Sequence, residues 1–484
     1  MNWINWKNSL VVFVFFLLLN IPVQAITTKC LKSVPYISDS LGTEGNISKS
    51  GVKSGSLLTD SLKRTAVIFP NYGYRPFNRL DSMLLFRPDS ALNAYREKQQ
   101  LKLIRLMAEG KIPIGFFNLD YNKLFGYNLF EGVKLGLGGE TNGKLSHHFS
   151  IGGAFSYGLK NRSIQQGEWI NFYPKGKSDL RIHLSYQDLN LEFGGSEFLE
   201  TNSLLHPESY RNLLIANMFA TRRYTAGLEF RIFNALNSYL FGDISENSTT
   251  LDNAFLLAHP FNPVTLTRAG IQLRYSPGIK FELEEGRLNE ITSSKSEVFL
   301  TLIQSLSMFG GEYRNTKIEL KGKFELPSIA LGTTTIVVQA GLMNSQSPVF
   351  ELFNGNGSFA GAFSLAAPYS FGTMQLNEFA ATSYAAIHLR HNFSTWLFPK
   401  KVKTRPALIF AQNIGFGKLN QNINAHSISK DYHRGFYESG FEANNLLRLG
   451  YLSFGAGIYY RYGPYQFGVM PQNFAYKFGA YLNL

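Results

Sequence analysis

From Asn473 to Leu484 the chain alternates strictly, with Phe474, Tyr476, Phe478, Ala480, Leu482 and Leu484 on one side and Ala475, Lys477, Gly479, Tyr481 and Asn483 on the other. An extended strand turns successive side chains to opposite faces, so only one face of this segment is apolar. A strand that closes a transmembrane β-barrel has this form, with its apolar face on lipid and its polar face on the lumen. A half-buried edge strand gives the same alternation, and the rest of the chain has to decide between them.

The alternation repeats through most of the chain. Phe149, Ile151 and Phe155 alternate with His148, Ser150, Gly152 and Ala154; Leu180, Ile182, Leu184 and Tyr186 oppose Arg181, His183, Ser185 and Gln187. Tyr224, Ala226, Leu228, Phe230 and Ile232 oppose Thr225, Gly227, Glu229 and Arg231. Over residues 378–393 the polar side carries Glu378, Thr382, Tyr384, His388, Arg390 and Asn392, and the apolar side Phe379, Ala381, Ala385, Ile387, Leu389 and Phe393. Such lengths exceed the ~5 to 6 residues usual in soluble sheets and suit a tilted membrane strand.

Fifteen such segments are legible, from 129–139 through 376–391 to 473–484. Bacterial single-chain barrels have even strand numbers, short periplasmic turns and long outer loops. A sixteenth strand placed at 189–194 puts the long connections 195–220, 244–264, 344–375, 417–432 and 462–472 outside, leaving 277–294 as one long periplasmic segment. The expected fold is all-β: a transmembrane antiparallel β-barrel of about 16 strands over 112–484.

The remaining chain fits an exported protein. Residues 1–25 read as a signal peptide, with Lys7, an apolar core from Leu10 to Leu19, and Val23-Gln-Ala25 as the cleavage site. Residues 26–111 read as a small N-terminal periplasmic appendage containing one helix, capped by Ser90 and ended by Gly110. Cys30 is the only cysteine and forms no internal disulfide. Composition holds 44 Gly, 25 Tyr and 41 Phe with 17% charged residues, and no mature segment is apolar enough for a spanning helix. The net charge of +13 becomes +12 without Lys7. In an exported chain that balance points to acidic lipid headgroups or a polar lumen, and no nucleic acid is expected.

Three groups of residues bear on function. The connection from Asn344 to Met374 is too apolar to stand in water, and Phe350, Phe353, Phe359 and Phe363 are expected to fold it into the lumen. Arg274, Glu378, His388, Arg390, Glu438, Glu442, Arg461 and Lys477 fall on polar faces and form a candidate lumen charge ladder. His148-x-Ser150 and His183-x-Ser185 place a base and a nucleophile on one strand face, but that face looks away from lipid. His147-His148 and His388…His391 lack an Asp or Cys at ligand spacing. No catalytic, cofactor-binding or metal residue is assigned, and no enzyme activity is expected. Phe478→Asp should harm folding and Lys477→Asp should be tolerated. Gly132, Gly136, Gly138 and Gly139 would weaken the first strand where it meets the last, or make room for neighbouring rings.

Several spaced motifs carry a resemblance. Phe130-Glu-Gly-Val-Lys-Leu-Gly-Leu-Gly-Gly139, Arg274-Tyr-Ser-Pro-Gly-Ile-Lys280, Leu376-Asn-Glu-Phe379, His388-Leu-Arg-His-Asn-Phe393, Tyr437-Glu-Ser-Gly-Phe-Glu442 and Arg461-Tyr-Gly-Pro464 lie along residues 112–484. Together they resemble a family of uncharacterised Bacteroidota outer-membrane barrels, usually found behind a carboxypeptidase-regulatory-like domain. That family is similar to the surface-antigen superfamily of assembly and secretion barrels, which have sixteen strands and an inward-folded loop before the last five. The chain departs from the superfamily in having no room for a string of POTRA domains in 26–111 and no Arg-Gly-Phe in 344–374; Arg434-Gly-Phe436 lies three strands too late. The resemblance implies a non-enzymatic component of a Gram-negative outer membrane that aids protein or lipid assembly or translocation. Outer-membrane lipid and periplasmic or lipoprotein partners are expected, with a passive pore or a lipid A-modifying hydrolase as alternatives.

Overall fold

The computed structural model describes residues 110–482 apart from 175–179, 201–206, 250–262, 285–286, 291–293, 329–331, 345–346, 362, 394–397, 399–404, 421–429 and 450–451. The expected signal peptide, Cys30 and the expected helix lie outside the described residues. Three short strands come first: β1 (Lys111–Ile114), β2 (Phe117–Asp120) and β3 (Phe125–Asn128). Seven long ones follow: β4 (Gly132–Thr141), β5 (Phe149–Gly158), β6 (Ile164–Phe172), β7 (Arg181–Glu192), β8 (Met218–Phe233), β9 (Leu236–Ser248) and β10 (Val264–Tyr275). A hairpin of β11 (Phe281–Glu284) and β12 (Arg287–Glu290) precedes β13 (Ser296–Leu306), β14 (Thr316–Ser328) and β15 (Gly332–Met343). Then come β16 (Gly357–Phe359), β17 (Phe363–Leu365) and β18 (Phe371–Gln375) in a single connection. The last long strands are β19 (Ser383–Asn392), β20 (Ala407–Lys418), β21 (Phe436–Leu449), β22 (Leu452–Tyr462) and β23 (Phe474–Leu482).

Fifteen long strands, β4–β10, β13–β15 and β19–β23, pair antiparallel with their neighbours in chain order. Their facing follows the sequence alternation: Phe149, Ile151 and Phe155 are exposed while Ser150 is fully buried, and Tyr476 and Phe478 are exposed while Ala475 and Lys477 are buried. An apolar outer face around a polar interior, with neighbouring backbones paired, is the wall of an outer-membrane β-barrel.

The sixteenth wall segment is not at 189–194, because those residues mainly continue β7, whose ladder with β8 runs to Glu192↔Met218. It lies at the other end, where β2 and β3 both pair antiparallel with β4, Leu119↔Gly139 and Phe125↔Leu135, with a 3₁₀ turn at Tyr121–Lys123 between them. Residues 117–128 are thus one wall strand broken in the middle, hidden from pattern reading because each half is only four residues long. Gly136, Gly138 and Gly139 of β4 serve this break, whereas Gly132 lies against Lys160. A Cβ on Gly136 would lie 2.6 Å from the Lys123 carbonyl oxygen, and one on Gly139 would lie 2.4 Å from that of Asn118. They admit the broken strand and do not sit at the meeting of first and last strands.

Two further boundaries move. Residues 376–382 do not open β19, and Phe379 and Ala381 are buried inside the barrel, not turned to lipid. The long connection after β10, expected in the periplasm, carries the β11–β12 hairpin, with the Arg231 guanidinium 3.9 Å from the Phe281 ring.

Among the described residues no ladder joins β23 to the broken strand 117–128. The outer edge of β2 carries β1 (Lys111↔Asp120 to Ile114↔Phe117), and the outer edge of β23 carries the three-residue β17 in parallel register. Pro113 of β1 lacks an N–H and so blunts the edge it presents.

Candidate functional site: a lumen held by two latched loops

The connection between β15 and β19, loop two, folds into the barrel as the apolar content of 344–374 requires. Phe350 and Phe353 are buried, and Phe353, Phe371, Met374, Phe379 and Ala381 pack with Ala386, Tyr432 and Phe436. Phe359 packs at the cluster of Ala411, Tyr459 and Ala475. Phe363 lies in β17, paired with Tyr476 at the wall.

Polar residues of the wall then fix this loop. Glu438 of β21, fully buried, accepts hydrogen bonds from the backbone N–H of Gly372 (2.7 Å) and Thr373 (2.8 Å), the Thr373 hydroxyl (2.6 Å) and Asn413 Nδ2 (2.6 Å). Charge-assisted bonds of this kind are about twice as strong as neutral ones. Because Asn413 donates through Nδ2, its Oδ1 is the acceptor at 3.0 Å from His388 Nδ1, which assigns the proton of His388 to Nδ1. Arg461 donates to both oxygens of Glu378 (2.8 and 3.2 Å) and lies 4.6 Å from the Phe436 ring and 4.5 Å from that of Phe467. Arg390 pairs with Glu442, which also accepts from the Tyr459 hydroxyl at 2.6 Å. Lys477 donates to the Ser358 carbonyl (2.9 Å) and the Ser364 hydroxyl (2.7 Å).

Seven of the eight ladder residues therefore belong to the surroundings of loop two. Glu378 reaches its partner from the loop itself and not from a wall strand. Arg274 stands apart, paired with Glu290 of β12 and Glu297 of β13. Phe436, the aromatic residue of the late Arg-Gly-Phe, is a cluster residue under the Arg461 guanidinium.

A second inward segment is absent from the sequence reading, which placed 195–220 outside. Loop one, 193–217, carries Glu197, Glu200 and Glu208 into a column of bases. Glu197 meets Arg268 (3.2 Å) and Arg223 (3.5 Å), Glu200 meets Lys321 (2.7 Å), and Glu208 meets Lys323 (2.5 Å). Burial alone would raise the Glu197 carboxyl, but Arg268, Arg223 and Lys317 hold it well below the usual carboxylate range. A partial signal for this segment was in the sequence: Lys317, Lys321 and Lys323 share one face of β14 with Glu319 and Glu325, which leaves an excess of positive charge for a lumen to neutralise.

The two loops are also stitched together. The Gly194 N–H donates to the Phe350 carbonyl (2.8 Å), Arg211 Nε to the Gly357 carbonyl (3.1 Å) and Asn377 Nδ2 to the Phe193 carbonyl (2.8 Å). Gly194 has φ +72°, and a Cβ there would lie 2.1 Å from the Leu352 carbonyl oxygen, so only glycine permits this crossing. Arg268 joins the wall to both loops, through Asp243 of β9 (2.8 and 3.0 Å), Glu197 and Glu351 (3.4 Å). A cavity of about 380 Å³ remains beside loop one, bordered by Tyr127, Asn190, Arg223 and Asn247.

The hydrolase pairs do not assemble. His148 Nδ1 lies 3.2 Å from the Tyr173 carbonyl oxygen, His183 Nδ1 lies 2.8 Å from Asn171 Oδ1, and the Ser150 hydroxyl accepts from Asn171 at 3.1 Å. Among the described residues no group of three or more His, Cys, Asp or Glu is placed to hold a metal ion.

No family model and no curated protein matches this sequence. Among the solved structures to which this chain is similar at low identity are three outer-membrane proteins. BamA from Haemophilus ducreyi lacking POTRA domains 1-3 is 11% identical with a TM-score of 0.45, over 73% of this chain and 68% of that one. CdiB from Escherichia coli is 11% identical with a TM-score of 0.41, over 76% and 62%. CdiB from Acinetobacter baumannii is 9% identical with a TM-score of 0.38, over 72% and 56%, so this chain spans less than two thirds of either CdiB.

Proposed function

We propose that this protein is a non-enzymatic outer-membrane barrel that aids protein or lipid assembly or translocation, working at the seam between residues 117–128 and β23. The observation that carries the reading is the seam itself: the first and last wall segments are covered by short internal strands where a passive channel would have a continuous ladder. Unpaired backbone groups in hydrocarbon cost several kcal/mol each, so a closed ladder is the default for a barrel with no use for an opening. The filled lumen points the same way, since a pore for small solutes gains nothing from two latched loops. Outer-membrane lipid is the surrounding medium, and periplasmic or lipoprotein partners would present clients at the seam.

The test is a cross-link over the seam. The strand facing β23 across it belongs to 111–128, not to β4, whose free edge is already paired with β2 and β3. With Cys30→Ala, single cysteines in β3 and β23 would be joined by a cleavable thiol cross-linker. Insertion of an unfolded porin into proteoliposomes carrying the protein, and lipid exchange between their leaflets, would then be measured. Both should fall on cross-linking, and whichever is the native role should return on cleavage. Activities indifferent to the cross-link would refute a working seam and favour the passive pore.

A further inference from the structure

Within loop two, β17 has a separate character. Phe363, Ser364 and Leu365 run parallel to β23 opposite Tyr476, Lys477 and Phe478, and the Ala366 N–H donates to the Phe478 carbonyl at 2.8 Å. Tyr476 and Phe478 face outward and Lys477 inward. The polar residue of β17 therefore stands at an inward register position, where Lys477 holds its hydroxyl, and its two apolar residues stand at outward positions. This is the alternation of a wall strand.

Its direction is not that of a permanent neighbour. Residues 117–128 run antiparallel to β4, and alternation through fifteen strands makes them antiparallel to β23 as well, whereas β17 is parallel to it. β17 occupies backbone groups that either closure of the barrel or an incoming strand would need. The same loop carries Gly372 and Thr373, gripped by Glu438, and Glu378, gripped by Arg461. Only the residues 366–370 separate Leu365 from Phe371, a tether of at most about 20 Å when fully extended, so a movement of either segment pulls on the other.

We propose that β17 is a removable wall strand, so that unlatching loop two from the lumen and baring the edge of β23 are one movement. The inference builds on the seam reading above, but its test needs no client. A chain with Cys30→Ala, Leu365→Cys and Phe478→Cys places a disulfide across one register pair of the β17–β23 ladder, and Glu438→Gln weakens the lumen latch. Loss of a charge that accepts four hydrogen bonds should shift the docked-to-undocked ratio about tenfold or more.

Single-channel conductance in planar bilayers is recorded first oxidised and then reduced in the same membrane. The expected result is a closed trace while the disulfide holds and frequent partial openings after reduction, loop one staying on its bases in both states. Equal traces in the two states, whether closed or open, would overturn the coupling. Should the Glu438 variant fail to fold by heat-modifiability on gels, Glu378→Gln removes the Arg461 ion pair and is read the same way. If reduction opens the lumen but porin insertion and lipid exchange ignore a seam cross-link, the coupling stands and the assembly reading falls; the converse result separates them equally well.

Discussion

Arg268 offers the sharpest test of how the lumen is held. It and Asp243 are each only 4% exposed and share two hydrogen bonds, at 3.0 and 2.8 Å. Removing one partner of such a pair leaves a buried charge and costs about 3 to 5 kcal/mol. Arg268→Met also strips Glu351 and Glu197 of their shared cation, but the Glu197 side chain is 33% exposed and keeps Arg223, so its share is smaller. The loss falls mainly where the two loops meet the wall, so the variant should remain a barrel, unfold at lower urea in detergent, and conduct more than the wild type. Arg268→Met with Asp243→Asn should recover a large part of the stability, because it also removes the orphaned acid; residues in direct contact are not additive. Urea midpoints by heat-modifiability and conductance in bilayers read the two effects. Wild-type values of both for Arg268→Met alone would refute the view of Arg268 as a common anchor.

Other outcomes follow from the same geometry. Phe478→Asp should reduce folding by about 2 kcal/mol or less, depending on depth, and gel mobility after heating reports it. Lys477→Asp should not be tolerated, against the sequence expectation, because Asp cannot donate to Ser358 and Ser364 and would stand near Glu438 and Glu442; a folded variant with a closed lumen would contradict this. Deleting residues 346–371 should raise conductance only in part, since loop one stays on its bases, and full opening should need removal of 196–208 as well. A depressed Glu197 stabilises the folded state fully above its unfolded value of about 4.3, and that contribution fades only as pH falls through its lower folded value. Glu197→Gln should therefore lower the urea midpoint at pH 7 and still do so near pH 5, with the gap to wild type closing in strong acid; a gap that closes between pH 7 and 5 would refute the assigned environment.

Residues such as Phe149, Ser150 and Ile151 or Tyr476, Lys477 and Phe478 announce their facing locally, because strand geometry alone sends neighbours to opposite sides of the wall. The barrel was legible for that reason, and the inward fate of Phe350 and Phe353 from the apolar content of their loop. The ladder residues were legible as polar-face positions, except that Glu378 stands in a loop, but their partners were not, since an ion pair such as Arg390–Glu442 joins strands far apart in sequence. Tertiary structure alone decided that residues 117–128 form the broken sixteenth strand, since a four-residue half-strand carries too little alternation to be read. It also decided that Glu197, Glu200 and Glu208 dock on Arg268, Lys321 and Lys323, and that Phe363, Ser364 and Leu365 sit on the edge of β23. Facing is a property of one strand, whereas pairing of charges and covering of edges depend on which distant segments the curved wall brings together.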